Sequence, residues 1–206
     1  LGDMAVDSPI GANAAMKAAE SYEKQGKITL AVRNYDKLLT KYPTSDLRQE
    51  ALDREFAIGS DFLGGKKRTV LGVFKIKRYA EGVRIMEKIT DHAGIETSIG
   101  TNAPIMVAEH YEKRGKFNEA YLQWREISSQ WQIGQVGKGS LLGMARCIYA
   151  AYNKNPEHKR AFYDASGLRT AKTCYLRFTL LYPKEAQEIG AEEILKEIDE
   201  QLAQKN

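Results

Sequence analysis

Two stretches of this chain are versions of one another. "AESYEKQGKITLAVRNY" (residues 19–35) and "AEHYEKRGKFNEAYLQW" (residues 108–124) align without a gap, and eight of their seventeen positions are identical. Such a repeat constrains the fold more than composition does, because each copy is one small unit that must bury its apolar face against the next. Ala19, Tyr22, Gly26, Ala31 and Tyr35 return as Ala108, Tyr111, Gly115, Ala120 and Trp124. These are the residues a pair of antiparallel helices requires: alanines for close approach, a glycine to end the first helix, and aromatics to fill the gap to the next pair. Pro43, eight residues beyond Tyr35, stops the second helix of the first copy, and Gln132 stands at the matching place in the second.

The spacing Ala-x2-Tyr-x3-Gly-x4-Ala-x3-aromatic-x7-Pro resembles the tetratricopeptide repeat, a helix-turn-helix unit of about 34 residues. Ala171, Tyr175 and Pro183 reproduce its closing half, with "LLGMARCIYAAY" (141–152) as the opening helix of that unit. "ALDREFAIGSDFL" (51–63) and "AEGVRIMEKI" (80–89) read as the two amphipathic helices of a diverged unit. Ala19 and Ala108 are 89 residues apart, whereas two units would separate them by about 68. Most of the surplus falls between the helices of the diverged unit, and "NKNPEHKRAFYDAS" (153–166) is a similar surplus in the last. "KEAQEIGAEEILKEIDEQLAQ" reads as a single amphipathic capping helix with Ala186, Ile189, Ile194, Ile198 and Leu202 on its apolar side. The resemblance thus implies an all-α fold, a tetratricopeptide-repeat solenoid of about four helix-turn-helix units in one domain over 1–206. The repeats fall near 12–43, 46–92, 101–132 and 139–183, the cap lies over 184–204, and insertions occupy the second and last units.

Composition narrows the function classes. A formal charge of +4 is far from the strongly basic domain that nucleic-acid binding calls for. Cys147 and Cys174 are too few for a disulfide framework, are not spaced as a metal site, and read as buried free thiols. No run approaches the ~20 apolar residues of a membrane-spanning helix, and the opening "LGDMAVDSP" has neither the charged nor the apolar region of a signal peptide.

Catalytic signals are sparse. His92, His110 and His158 occur singly, without a zinc or protease spacing. Glu20 with Glu23, and Glu109 with Glu112, lie about one helical turn apart, as solvated helix faces do. "GQVGKGS" (134–140) departs from the phosphate-loop pattern: Gly139 follows Lys138 where Ser or Thr is needed, and no strand precedes it. It reads as a flexible linker with Ser140 near a helix start. No catalytic residue, cofactor or metal site is expected.

In the tetratricopeptide family the first helices line the inner surface, and the register places Asn13, Met16, Glu20 and Glu23 there, matched by Asn102, Ile105, Glu109 and Glu112. Met16 and Glu20 stand where a carboxylate clamp for a peptide terminus would need Lys and Asn. Met and Ile beside acids suit a peptide with apolar and basic character; equally, these are ordinary solvated faces. The surplus segment "FLGGKKRTVLGVFKIKRYAEG" (62–82) carries Lys66, Lys67, Arg68, Lys75, Lys77 and Arg78 around Val70, Leu71, Val73, Phe74 and Ile76. Its apolar residues would pack on neighbouring helices while Lys66, Lys67, Arg68 and Lys77 meet a protein partner. A lipid headgroup surface is an alternative; nucleic acid is disfavoured, since only Phe74 and Tyr79 could stack on bases.

"NYDKLLTKYPTSDLRQEAL" (34–52), the interrupted unit "FLGGKKRTVLGVFKIKRYAEGVRIMEKI", and "AEHYEKRGKFNEAYLQWREI" after it are together similar to the BamD (YfiO) family of outer-membrane assembly lipoproteins. That resemblance, over about residues 14 to 132, implies a non-catalytic scaffold on the periplasmic side of a bacterial outer membrane. Its partners would be peptide segments or assembly-machinery subunits, and its only membrane attachment a lipid anchor. A general tetratricopeptide adaptor of another envelope or cytoplasmic complex, in secretion, polysaccharide export or cell division, fits the same repeats.

Overall fold

The computed structural model of the chain describes residues 9–70, 74–156 and 163–205. The first hairpin pairs α1 (Pro9–Lys24) with α2 (Ile28–Lys41). Its turn is a glycine C-cap: Gly26 takes φ of 70°, Lys27 N–H donates to Tyr22 O at 2.8 Å and Gly26 N–H to Glu23 O at 2.8 Å. An added Cβ at Gly26 would meet nothing within 4 Å, so the glycine is there for its positive φ. The second unit pairs α3 (Arg48–Leu63) with α4 (Tyr79–Ala93). Then α5 (Ser98–Lys113) and α6 (Phe117–Gln130) reproduce the first turn, with Gly115 at φ 66° and Lys116 N–H donating to Tyr111 O at 2.9 Å. Next come α7 (Gly134–Asn153), α8 (Ser166–Leu181), α9 (Pro183–Glu188) and α10 (Ala191–Ala203). The architecture is all-α and built of tetratricopeptide-like helical hairpins, as the repeat implies, with one short pair of strands inserted.

The surplus within the second unit is an antiparallel β-hairpin, β1 (Lys67–Val70) and β2 (Phe74–Lys77), with Lys67 opposite Lys77 and Val70 opposite Phe74. A run of Thr, Val, Phe and Ile favours the pleated backbone over a helix. The expected packing of Val70, Leu71, Val73, Phe74 and Ile76 on neighbouring helices lies outside the described residues, as do the side chains of Lys67, Arg68 and Lys75 and the middle of the 153–166 surplus. Arg78 anchors the exit into α4: it pairs with Glu81, donates to Thr29 Oγ1 at 3.1 Å and lies over the Phe62 ring at 5.9 Å.

Three local expectations change. The 134–140 segment is the first two turns of α7 rather than a linker. Its three glycines disfavour helix, but an added Cβ at Gly137 would lie 2.7 Å from Trp131 O, so one of them is required by close backbone approach. The segment after Pro183 is two helices, because Gly190 turns left-handed at φ 65° between α9 and α10. Helix α5 begins at Ser98, three residues before 101, because Thr97 Oγ1 accepts from Gly100 N–H at 3.0 Å as an N-cap.

Contacts gather into two compact units, residues 1–106 and 107–206, with the boundary inside α5. In the first, α2 packs on α1 and α3, and α3 on α4, around Ala19, Ala31, Tyr35, Leu38, Leu52, Ile85, Met86 and Ile89, all fully or almost fully buried. In the second, α7 packs on α6 and α8, and α9 and α10 cover α8; Leu168, Ala171, Phe178 and Ile198 are at its centre.

Candidate functional site

Helices α1 and α5 carry the residues picked out by register, and the structure separates them into three kinds. Met16 is core: it is 4% exposed, so it presents nothing to a ligand, and its assignment to the inner surface is corrected. A second group is engaged with neighbouring helices. Glu23 Oε2 accepts from the Tyr35 hydroxyl at 2.8 Å, and its other oxygen lies 3.9 Å from Arg54 Nη1. Glu112 is held by Arg146, whose Nη2 donates to Oε2 at 2.7 Å while Nε donates to Oε1. The first pair joins α1 to α3, and the second joins α5 to α7. The third group is open: Asn13, Asn102 and Glu109 are exposed, and Glu20 and Ile105 half-buried. Asn13 Nδ2 donates back to Pro9 O at 2.8 Å, and Glu109 lies 3.4 Å from Lys113, one turn on.

Of the insertion cations, Lys66 pairs with Asp61 at the end of α3, and Lys77 is exposed with its ammonium 5.6 Å from the Tyr79 ring centre. Lys67 and Arg68 take their places in β1 opposite Lys77 and Ile76.

Sequence reasoning passed over a charged cluster in the first unit. Asp36 on α2 accepts from Lys88 at 2.7 Å and meets His92 Nε2 at 3.2 Å, both on α4. Burial opposes the Asp36 charge, but these two hydrogen bonds outweigh it and hold its carboxyl below the usual range. Close by, Glu55 on α3 is 1% exposed, and neither carboxylate oxygen has a hydrogen-bond partner. Burial, then the Asp36 charge, pushes it up to about 8, so it is largely a neutral acid at pH 7. A signal was there: four residues after Ala51 and three before Ile58, Glu55 sits on the apolar face of α3. Among the described residues no group of three or more His, Cys, Asp or Glu could hold a metal ion. No helix described is long and apolar enough to cross a membrane.

Cys147 and Cys174 are buried free thiols, and burial, followed by the Glu112 charge, pushes Cys147 up to about 12. That is the profile of inert core residues rather than nucleophiles.

No curated protein matches the chain. The sequence profile of the tetratricopeptide repeat matches residues 13–45, which span most of α1 and all of α2. The hairpin α1–α2 thus matches a tetratricopeptide repeat, and the same turn and the same buried alanine and aromatic positions return in α5 and α6.

Proposed function

We propose that the chain is a protein-binding scaffold of a bacterial envelope, similar to the BamD component of outer-membrane β-barrel assembly. Tetratricopeptide repeats generally serve as non-catalytic platforms for protein–protein interaction, and the observation that carries the reading is the matched hairpin α1–α2 with its repetition in α5–α6. The finer assignment draws on the interrupted second unit, where β1 and β2 stand between α3 and α4. Asn13, Glu20, Asn102, Ile105 and Glu109 on the first helices, and Lys66 and Lys77 at the hairpin, are the proposed contacts, with Lys67 and Arg68 between them. Peptide segments or machinery subunits on the periplasmic side are the proposed partners.

The matching profile is that of the repeat in general, which favours a second reading: an adaptor of another envelope or cytoplasmic complex. Crosslinking a tagged chain in cells and identifying what is captured separates the two. Recovery of outer-membrane assembly subunits is expected; a different complex establishes the second reading, and no captured protein under efficient crosslinking overturns both. Replacing Lys66, Lys67 and Arg68 by Ser is expected to weaken capture while leaving the thermal midpoint unchanged; unchanged capture removes the hairpin from the binding surface.

A further inference from the structure

On α2, Arg33, Lys37 and Lys41 are exposed and stand four residues apart, so they form one row along the helix. Like charges at this spacing destabilise a helix, and of the three only Lys41, in the last turn, is placed to favour the dipole of α2. Nor does the repeat require the row: at the same places in α6 the second copy has Leu122, Glu126 and Gln130. The acid beside the row, Asp36, is already taken up by Lys88 and His92 of α4, and no described ion pair engages Arg33, Lys37 or Lys41. Arg84 adds a further exposed cation on α4, where Glu87 and Asp91 are the exposed acids. The row borders an open groove of about 600 Å³ whose lining includes Tyr22 of α1 and Leu30 of α2, the latter 39% exposed.

We infer that this exposed face of α2 is a docking surface for an acidic, partly apolar segment of a partner protein, its carboxylates meeting Arg33, Lys37 and Lys41 and an apolar side chain covering Leu30. The inference rests on the scaffold reading and names the chemistry of one partner. A groove with three unneutralised cations and an exposed leucine complements such a segment in both charge and polarity. Nucleic acid would be recognised through stacking, and the groove offers Tyr22 as its one aromatic.

The test uses the full chain and a fluorescent peptide of alternating Glu and Leu, read by anisotropy, beside a Lys–Leu peptide and a single-stranded oligonucleotide. The Glu–Leu peptide is expected to bind best and to weaken about tenfold or more as ionic strength rises from about 0.05 M to about 0.5 M. Joint Arg33→Gln, Lys37→Gln and Lys41→Gln changes abolish that binding while circular dichroism shows the fold intact. Joint Arg169→Gln, Arg177→Gln and Lys184→Gln changes, which remove the same charge from exposed positions of the other unit, leave it in place. Equal loss in both variants, equal binding of the Lys–Leu peptide, or preference for the oligonucleotide overturns the inference. If the chain captures partners in cells and the α2 variant captures them equally, the scaffold reading stands and this face is not their site. If the unaltered chain captures nothing, the scaffold reading itself fails.

Discussion

In α1–α3 the aromatic that closes the hairpin is Tyr35, fully buried; in α5–α7 it is Trp124, 5% exposed. Three positions before the arginine that reaches back to the first helix stands Ala51 in one case and Gly143 in the other. A Cβ at Gly143 would lie 2.6 Å from the Trp124 ring, so the larger aromatic is accommodated by removing the methyl facing it. The polar contacts are redistributed by the same exchange. The Tyr35 hydroxyl donates a hydrogen bond to Glu23 and occupies one carboxylate oxygen, which leaves Arg54 a long approach at 3.9 Å. The Trp124 indole N–H lies beside the Cys147 thiol instead of a carboxylate, and both Glu112 oxygens accept from Arg146. One residue after each arginine comes the largest difference: Cys147 is an apolar filler, whereas Glu55 is a buried carboxylic acid. Related packing schemes therefore tolerate changes of volume and of hydrogen bonding when these are compensated, and Glu55 is the position where compensation is missing.

Breaking the comparison at Glu55 has the largest expected effect. Its folded value is raised above that of an exposed glutamate, so the fold prefers the protonated form. Its contribution to stability is therefore complete below pH about 4.5, declines as pH rises towards about 8, and is lost above that. Glu55→Gln is expected to stabilise the chain by about 2 to 4 kcal/mol at pH 9 and by less than about 1 kcal/mol at pH 4. Urea unfolding followed by circular dichroism at the two pH values checks this; a gain independent of pH would mean that folding leaves the titration of Glu55 unshifted.

Next comes Gly143→Ala, which forces a methyl against the Trp124 ring and is expected to cost about 2 to 3 kcal/mol. Ala51→Gly, with no such contact to relieve, should cost about 1 kcal/mol through helix propensity and lost packing. Smaller still is the difference between the two arginines. Arg146→Ala, ending a two-point contact with Glu112, should cost about 1 kcal/mol, and Arg54→Ala no more than a few tenths. Equal losses at both would show that the two contacts are alike in solution.

The repeat was legible because its markers answer to backbone geometry. Ala19, Ala31, Ala108 and Ala120 are fully buried, and Gly26 and Gly115 take the left-handed turn conformation, so these residue types cannot drift without cost. What periodicity missed was set by tertiary contact or by single residues. The three glycines of 134–140 argued against helix, yet the backbone of Trp131 and Gln132 presses on Gly137 and accounts for one of them. Gly190 lies inside an otherwise continuous amphipathic pattern, and the αL turn it adopts leaves the apolar spacing on either side undisturbed. Register alone placed Met16 with Asn13 and Glu20, because on a helix one residue's step around the axis separates core from surface. The Asp36–Lys88–His92 cluster joins residues more than fifty positions apart, and no local pattern marks such a meeting.

The compensation between aromatic and facing residue is tested most directly by adding Trp124→Tyr to Gly143→Ala, which rebuilds in α5–α7 the Tyr and Ala combination of α1–α3. Equilibrium unfolding of the two single variants and the double completes a thermodynamic cycle. The account predicts that the second change restores more than half of the stability lost to the first, since the smaller ring makes room for the methyl. Losses that simply add would contradict it.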